Sequence, residues 1–191
     1  MEVVKVSFES ALRVVDVIKD GGIVLFPTET VYGIGTAIDN IKGIERLYNI
    51  KGRDRKKPLA LHVGSYAVIY EFAMVDDRVD DFIKRFLPGP YTLVLPSRDE
   101  SIGTTVGVRF PALPFLMDAL KKVKGVWGTS ANLSGDVAPC SFDEVRKEIL
   151  ESVDIAVDGG STYYRDASTV IDFTGKEVKV LRRGAGVVPW L

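Results

Sequence analysis

Five of the seven residues from Lys51 to Lys57 are cationic: Lys51, Arg53, Arg55, Lys56 and Lys57. From Lys42 to Lys57 seven basic residues stand against two acidic ones, yet the whole chain has a net charge of −1. A concentrated positive field draws anionic ligands. If the segment is extended, Lys51 and Arg53 share a side, because side chains alternate with period two. A point-charge ammonium beside a planar guanidinium fork suits a polyphosphate. The plain alternative is a solvated basic loop.

Further polar stretches sit where apolar runs end, and loops held by strands commonly carry function. "FPTETVYGIG" supplies Thr28, Glu29, Thr30 and Tyr32, with glycines at 33 and 35. It lacks the third glycine of a dinucleotide fingerprint, and no P-loop motif occurs in the chain. "LALHV" holds His62, and a lone strand histidine is more often packed than catalytic. "TTVGVRFP" places Arg109 four residues after Thr105 at a strand end, either as a surface ion pair or as a carboxylate clamp. "GTSANLSG" groups Ser130 and Asn132 with other hydroxyls and glycines, able to cradle an anion or to form an idle turn. "DASTVID" carries Ser168 ahead of a strand, and "VLRRG" offers Arg182.

These side chains need rigid supports. Apolar runs at Val3–Val6, Ile23–Phe26, Leu59–Val63, Val106–Arg109, Gly125–Gly128, Ile155–Val157, Thr169–Asp172 and Val178–Leu181 predict strands, as does the run after "LPGP". Helical spacing appears over Ser10–Lys19, from Ile41 to Tyr48 behind an Asn40 cap, after Asp76, and over Pro114–Lys122. Ser141 and Glu144 predict a capping box for a helix reaching Glu151. The irregular mixture predicts an α/β or α+β fold, one twisted mixed sheet flanked by helices in a single domain over 1–191.

The 191 residues allow a sizeable core, since a chain of this size buries roughly 70% of its unfolded surface. Hydrophobic residues make up 46% and charged ones 27%, ordinary for a globular protein. Cys140 and His62 are each the sole residue of their type, which excludes an internal disulfide and a Cys/His zinc site. No signal-peptide pattern and no run of 18 apolar residues is present, so a membrane span is not expected and a cytoplasmic setting is.

Seven blocks, "FPTETVYGIG", "KGRDRKKPL", "PGPYTLVL", "VRFP", "TSANLSG", "STVID" and "VLRRGAG", occur in an order and spacing that resemble the YrdC-like family of threonylcarbamoyl-adenylate synthases. The likeness runs from about Gly21 to Gly186. It implies a YrdC-like fold and an activity that makes threonylcarbamoyl-AMP and pyrophosphate from L-threonine, bicarbonate and ATP. Partner proteins then transfer the threonylcarbamoyl group to adenosine 37 of tRNA. By resemblance, Thr30, His62, Arg109 and Ser168 bind threonine or its carbamate, and Lys51, Arg53, Lys57, Thr105, Ser130, Asn132 and Arg182 bind ATP. Lys51 and Arg53 are the implied catalytic pair, with Mg²⁺ carried by the phosphates and no metal ligand assigned to a side chain. Lys57, Ala138, Arg183 and Gly186 depart from the residues common in the family. The chain resembles the short form that lacks a C-terminal extension.

Two rivals stay open at this level. One is a family paralogue that makes another carbamoyl adenylate or has lost the synthase activity. The other is an RNA-binding module whose basic segment contacts tRNA or another A-form duplex through phosphates.

Overall fold

The structure is a computed structural model that describes residues 1–188; the last three residues of the expected 1–191 domain lie outside the described range. The first half of the chain forms β1 (Glu2–Lys5), α1 (Phe8–Lys19), β2 (Val24–Phe26), β3 (Gly33–Ala37), α2 (Ile41–Lys51), β4 (Ala60–His62), α3 (Tyr66–Phe72) and α4 (Asp77–Phe86). The second half adds β5 (Tyr91–Pro96), β6 (Thr105–Arg109), α5 (Pro114–Lys122), β7 (Val126–Ser130), α6 (Lys147–Ser152), β8 (Ile155–Asp158), β9 (Thr169–Asp172) and β10 (Lys179–Arg182).

Local chemistry sets the helix starts. Ser7 and Ser10 exchange backbone-to-hydroxyl bonds in a capping box that opens α1. Asn40 accepts from the Gly43 amide at 3.0 Å and opens α2, and Asp76 accepts from the Val79 amide to open α4. The expected Ser141–Glu144 box does not form. The Glu144 carboxylate is engaged by the Cys140 amide and by Arg165, Ser141 makes no side-chain cap, and α6 starts only at Lys147.

Two further elements differ from the sequence expectation. The glycines of "GIGTA" read as a loop but form the interior strand β3. Gly33 is needed there because an added Cβ would lie 2.9 Å from the Phe26 ring. The short helix α3 has only one buried residue, Ile69, too few to give a readable periodicity.

All ten strands join one sheet in the order β1-β8-β2-β3-β7-β4-β6-β5-β9-β10. It is mixed: β4 runs parallel to β6 and β5 parallel to β9, while β7–β4, β5–β6 and β3–β7 are antiparallel. Helices α1 and α5 pack on β2, β7 and β8 through Val14, Ile18, Leu116 and Leu120. Residues of α2 and α6 pack with Leu25, Ile34 and Tyr32. A third core joins α3 and α4 to Leu61, Val108, Leu93 and Ile171. Strand alternation then fixes the opposite side of β4, β6 and β5. Because Leu61, Val106, Val108, Leu93 and Leu95 point into that core, His62, Ala60, Arg109, Gly107, Thr92 and Val94 point the other way.

Candidate active site

Those outward positions form the floor of a cavity of about 700 Å³. Register arranges the floor in cross-strand rows. In one row His62, Arg109 and Thr92 are paired neighbours across β4, β6 and β5. In the next row Gly128, Ala60, Gly107 and Val94 are paired across β7, β4, β6 and β5. A polar row thus lies beside a row of small and apolar residues.

Arg109 is the anchor of the polar row and is 5% exposed. Its Nη2 donates to Glu29 Oε1 at 2.9 Å and to Thr30 Oγ1 at 2.6 Å. Thr28 gives its hydroxyl proton to the Val31 carbonyl, so Thr30 donates to Thr28 in the 2.8 Å contact between their hydroxyls. Glu29 Oε2 and Arg109 Nε are buried without a hydrogen-bond partner among the described residues. Such atoms are uncommon, because an unmet buried polar group costs about 1–3 kcal/mol. The alternative of a surface ion pair is therefore corrected: Arg109 is an interior residue, because the "TET" turn folds over it.

Burial, reinforced by the Arg109 charge, pushes the His62 imidazole down to about 3, so it is neutral at physiological pH. Its Nδ1 lies 3.1 Å from the Ala60 carbonyl. A carbonyl oxygen only accepts, which places the proton on Nδ1 and leaves Nε2 as an acceptor. At the far end of the row, Ser168 Oγ meets Thr92 Oγ at 2.8 Å. Arg182 Nη2 donates to the Ser168 carbonyl at 2.7 Å and to its hydroxyl at 3.2 Å. Burial, then the neighbouring Arg109 charge, lowers the Arg182 pKa.

Lys51 is the last residue of α2, with Gly52 in the left-handed region (φ 55°) behind it as the cap. The extended-loop argument that put Lys51 and Arg53 on one side fails for that reason. Lys51 is 2% exposed. Its Nζ donates to the Ser130 and Asn132 carbonyls at 2.6 Å each and to Asn132 Oδ1 at 3.1 Å. All three protons are engaged with the "SANLSG" turn, whose Ser134 amide also donates to the Lys51 carbonyl. Burial, then the Arg53 charge, lowers the Lys51 pKa to about 8. The residue ties the helix end to the turn that forms the cavity wall. Arg53 donates to the Lys57 and Pro58 carbonyls and so shapes the basic loop, in which Arg55, Lys56 and Lys57 are exposed.

The cavity wall thus brings together Lys51, Arg53, Lys57, His62, Arg109, Ser130, Asn132, Ser168 and Arg182 from the expected set. Thr30 and Thr105 do not line it. Thr30 is fully buried behind Arg109, and Thr105 is exposed at the start of β6. Thr92 and the small-residue row went unnoticed in the sequence. Their signals were slight: one threonine in "YTLVLP" and one glycine in "TTVGVRF". The described residues hold no group of three or more His, Cys, Asp or Glu side chains fit to bind a metal. No helix among them is long and apolar enough to cross a membrane.

The Sua5_yciO_yrdC family profile, described as "Telomere recombination", matches residues 16–184. A Methanocaldococcus jannaschii relative is 35% identical over 176 residues, covering 90% of this chain and 83% of its own. A Pyrococcus abyssi relative named threonylcarbamoyl-AMP synthase is 34% identical over 175 residues, 87% of this chain but 52% of its own. The crystal structure of P. abyssi Sua5 complexed with L-threonine superposes with a TM-score of 0.90 at 31% identity, over 96% of this chain and 58% of that one. The chain therefore spans little more than half the length of the P. abyssi protein.

Proposed function

The chain belongs to the Sua5/YciO/YrdC family, and on that premise we propose that it is a threonylcarbamoyl-AMP synthase acting on L-threonine, bicarbonate and ATP in the cytoplasm, with 1–191 as one catalytic domain. The observation that carries this reading is the pairing, in one cavity, of an interior arginine and a neutral histidine acceptor with a cationic rim. Relatives that bear the activity's name support it.

In the proposed reaction the threonine ammonium and bicarbonate combine to give the carbamate, releasing water and a proton. A carbamate oxygen then attacks the α-phosphorus of ATP. A new P–O bond forms, the α–β bridging P–O bond breaks, and pyrophosphate leaves with the electron pair. The carbamate supplies the nucleophile, so no side chain needs to. The protein's part is positioning and charge compensation, because two anions must approach. Arg109 offers its remaining guanidinium donors to the threonine carboxylate. His62 Nε2 accepts from the hydroxyl or the amine. Ser168 and Thr92 close that end. Arg53, Lys57 and Arg182 face the phosphates, while Ser130 and Asn132 border the nucleotide on a turn held by Lys51. Magnesium, where it takes part, arrives on the triphosphate. The exposed Arg55 and Lys56 are the surface offered to tRNA phosphates, and separate transfer proteins consume the adenylate.

Pyrophosphate release tests the reading. It should require ATP, bicarbonate and L-threonine together, with the product seen by mass as threonylcarbamoyl-AMP. Equal release without threonine would sink it.

A further inference from the structure

Gly107 occupies the middle of β6, bonded on one side to β4 and on the other to β5. Glycine weakens an interior strand, so it normally needs a reason there. The usual reasons are absent. Its φ is not positive. A Cβ built on it would find its nearest neighbours, Ala60 and the Thr92 methyl, at 3.9 Å, which is ordinary contact. Its neighbours Val106 and Val108 point into the aromatic core, so that Cβ would enter the cavity. The residues paired across from it, Ala60 and Val94, line the same cavity without a polar atom in their side chains.

The position along the strand gives the space a meaning. Arg109, two residues on, is about 7 Å away on the same face. It is nine-tenths buried, with Nε unpartnered at the edge of this floor. Thr105 and the "SANLSG" turn lie toward the opposite end, beyond Ala60 and Gly128. A threonine held by its carboxylate at Arg109 carries its amine, and hence a carbamate, a few bonds along the floor. That group arrives over Gly107.

We propose that the side chain missing at Gly107 leaves the space in which the carbamate and the α-phosphate meet. The inference rests on the proposed function and names the place where the mixed anhydride forms. A side chain here excludes the paired reactants while leaving the amino-acid pole of the site intact.

Gly107→Ala and Gly107→Val test it. Removing glycine's backbone freedom in a strand should raise the melting temperature of Gly107→Ala by about 2 °C. Pyrophosphate formation per enzyme should fall a few-fold in Gly107→Ala and about 100-fold in Gly107→Val, as misplacement by about an ångström does. L-threonine affinity, measured by calorimetry without nucleotide, should stay within about twofold of wild type in both. Opposite signs for stability and turnover are the signature, because a glycine kept for the fold would lose both. Wild-type turnover in Gly107→Val, a melting temperature falling in step with activity in both variants, or an equal loss of threonine affinity would overturn the inference. Wild-type protein that releases no pyrophosphate would overturn the proposed function as well, whereas a Val variant that matches an active wild type overturns this inference alone.

Discussion

The floor and the rim of the cavity both use basic side chains, but they hold them differently. On the floor Arg109 is buried against Glu29, Thr28 and Thr30, and His62 sits beside it on the neighbouring strand in neutral form. On the rim Arg55, Lys56 and Lys57 are exposed, and Arg53 is tied to carbonyls of its own loop. Removing one partner of a buried pair costs about 3–5 kcal/mol, whereas an exposed pair is worth about 0–1 kcal/mol. The floor can therefore define one geometry for a small substrate. The rim supplies a field that concentrates and neutralises a larger anion. Lys51 tests the distinction, because its position in the basic motif places it with the rim and its burial places it with the floor.

The largest effect should come from Lys51→Met. The variant keeps the side-chain length but strands three acceptors on Ser130 and Asn132. Loss of a buried charged donor that leaves these oxygens unpaired predicts a destabilisation of about 2–3 kcal/mol in denaturant unfolding, with nucleotide affinity lost alongside. An unchanged unfolding midpoint would move Lys51 to the rim.

A second effect is set by pH. His62 has a folded-state pKa near 3 against 6.5 for the free side chain. The unfolded chain therefore takes up a proton that the folded chain refuses, and stability falls as pH drops below 6.5 toward 3. Between pH 6.5 and 5, above most carboxylate titration, urea midpoints should decline for wild type and stay flatter for His62→Gln. Parallel curves would show that His62 is not held neutral.

The smallest effects belong to Arg55→Ala and Lys56→Ala. Turnover should fall by no more than about threefold at low salt, and the difference should vanish near 0.5 M salt, where screening is strong. Losses as large as that of Lys51→Met would erase the difference between rim and floor.

Most of the scaffold could be read from the sequence where one face is buried and polar residues cap the ends. The strand over Thr169–Asp172 and the helix over Pro114–Lys122 match the structure residue for residue. Asn40 and Asp76 cap as their side chains predict. Glycine misled in β3, because close packing against Phe26 and loop flexibility favour the same residue. The chemistry of the site was legible as residue types, since arginine, lysine, histidine and hydroxyls stand out in apolar runs. Their partners were not. Nothing local says that Glu29 reaches Arg109 across 80 residues, or that Lys51 turns inward to Asn132 across 81. Those contacts depend on a sheet order that no short-range pattern encodes. Gly107 was hidden for the opposite reason, because its contribution is a side chain it lacks.

In the proposed function the floor reads the amino acid and the rim takes the nucleotide. Calorimetric titration of L-threonine and of a non-hydrolysable ATP analogue against Arg109→Lys and Arg53→Ala tests it most directly. Lysine keeps a cation beside Glu29 but cannot present a planar fork, so Arg109→Lys should lose threonine affinity by about tenfold or more and keep the nucleotide. Arg53→Ala should lose nucleotide affinity by about tenfold or more and keep threonine. If both variants lost both ligands equally, or if the losses were exchanged, the division of the cavity would be contradicted.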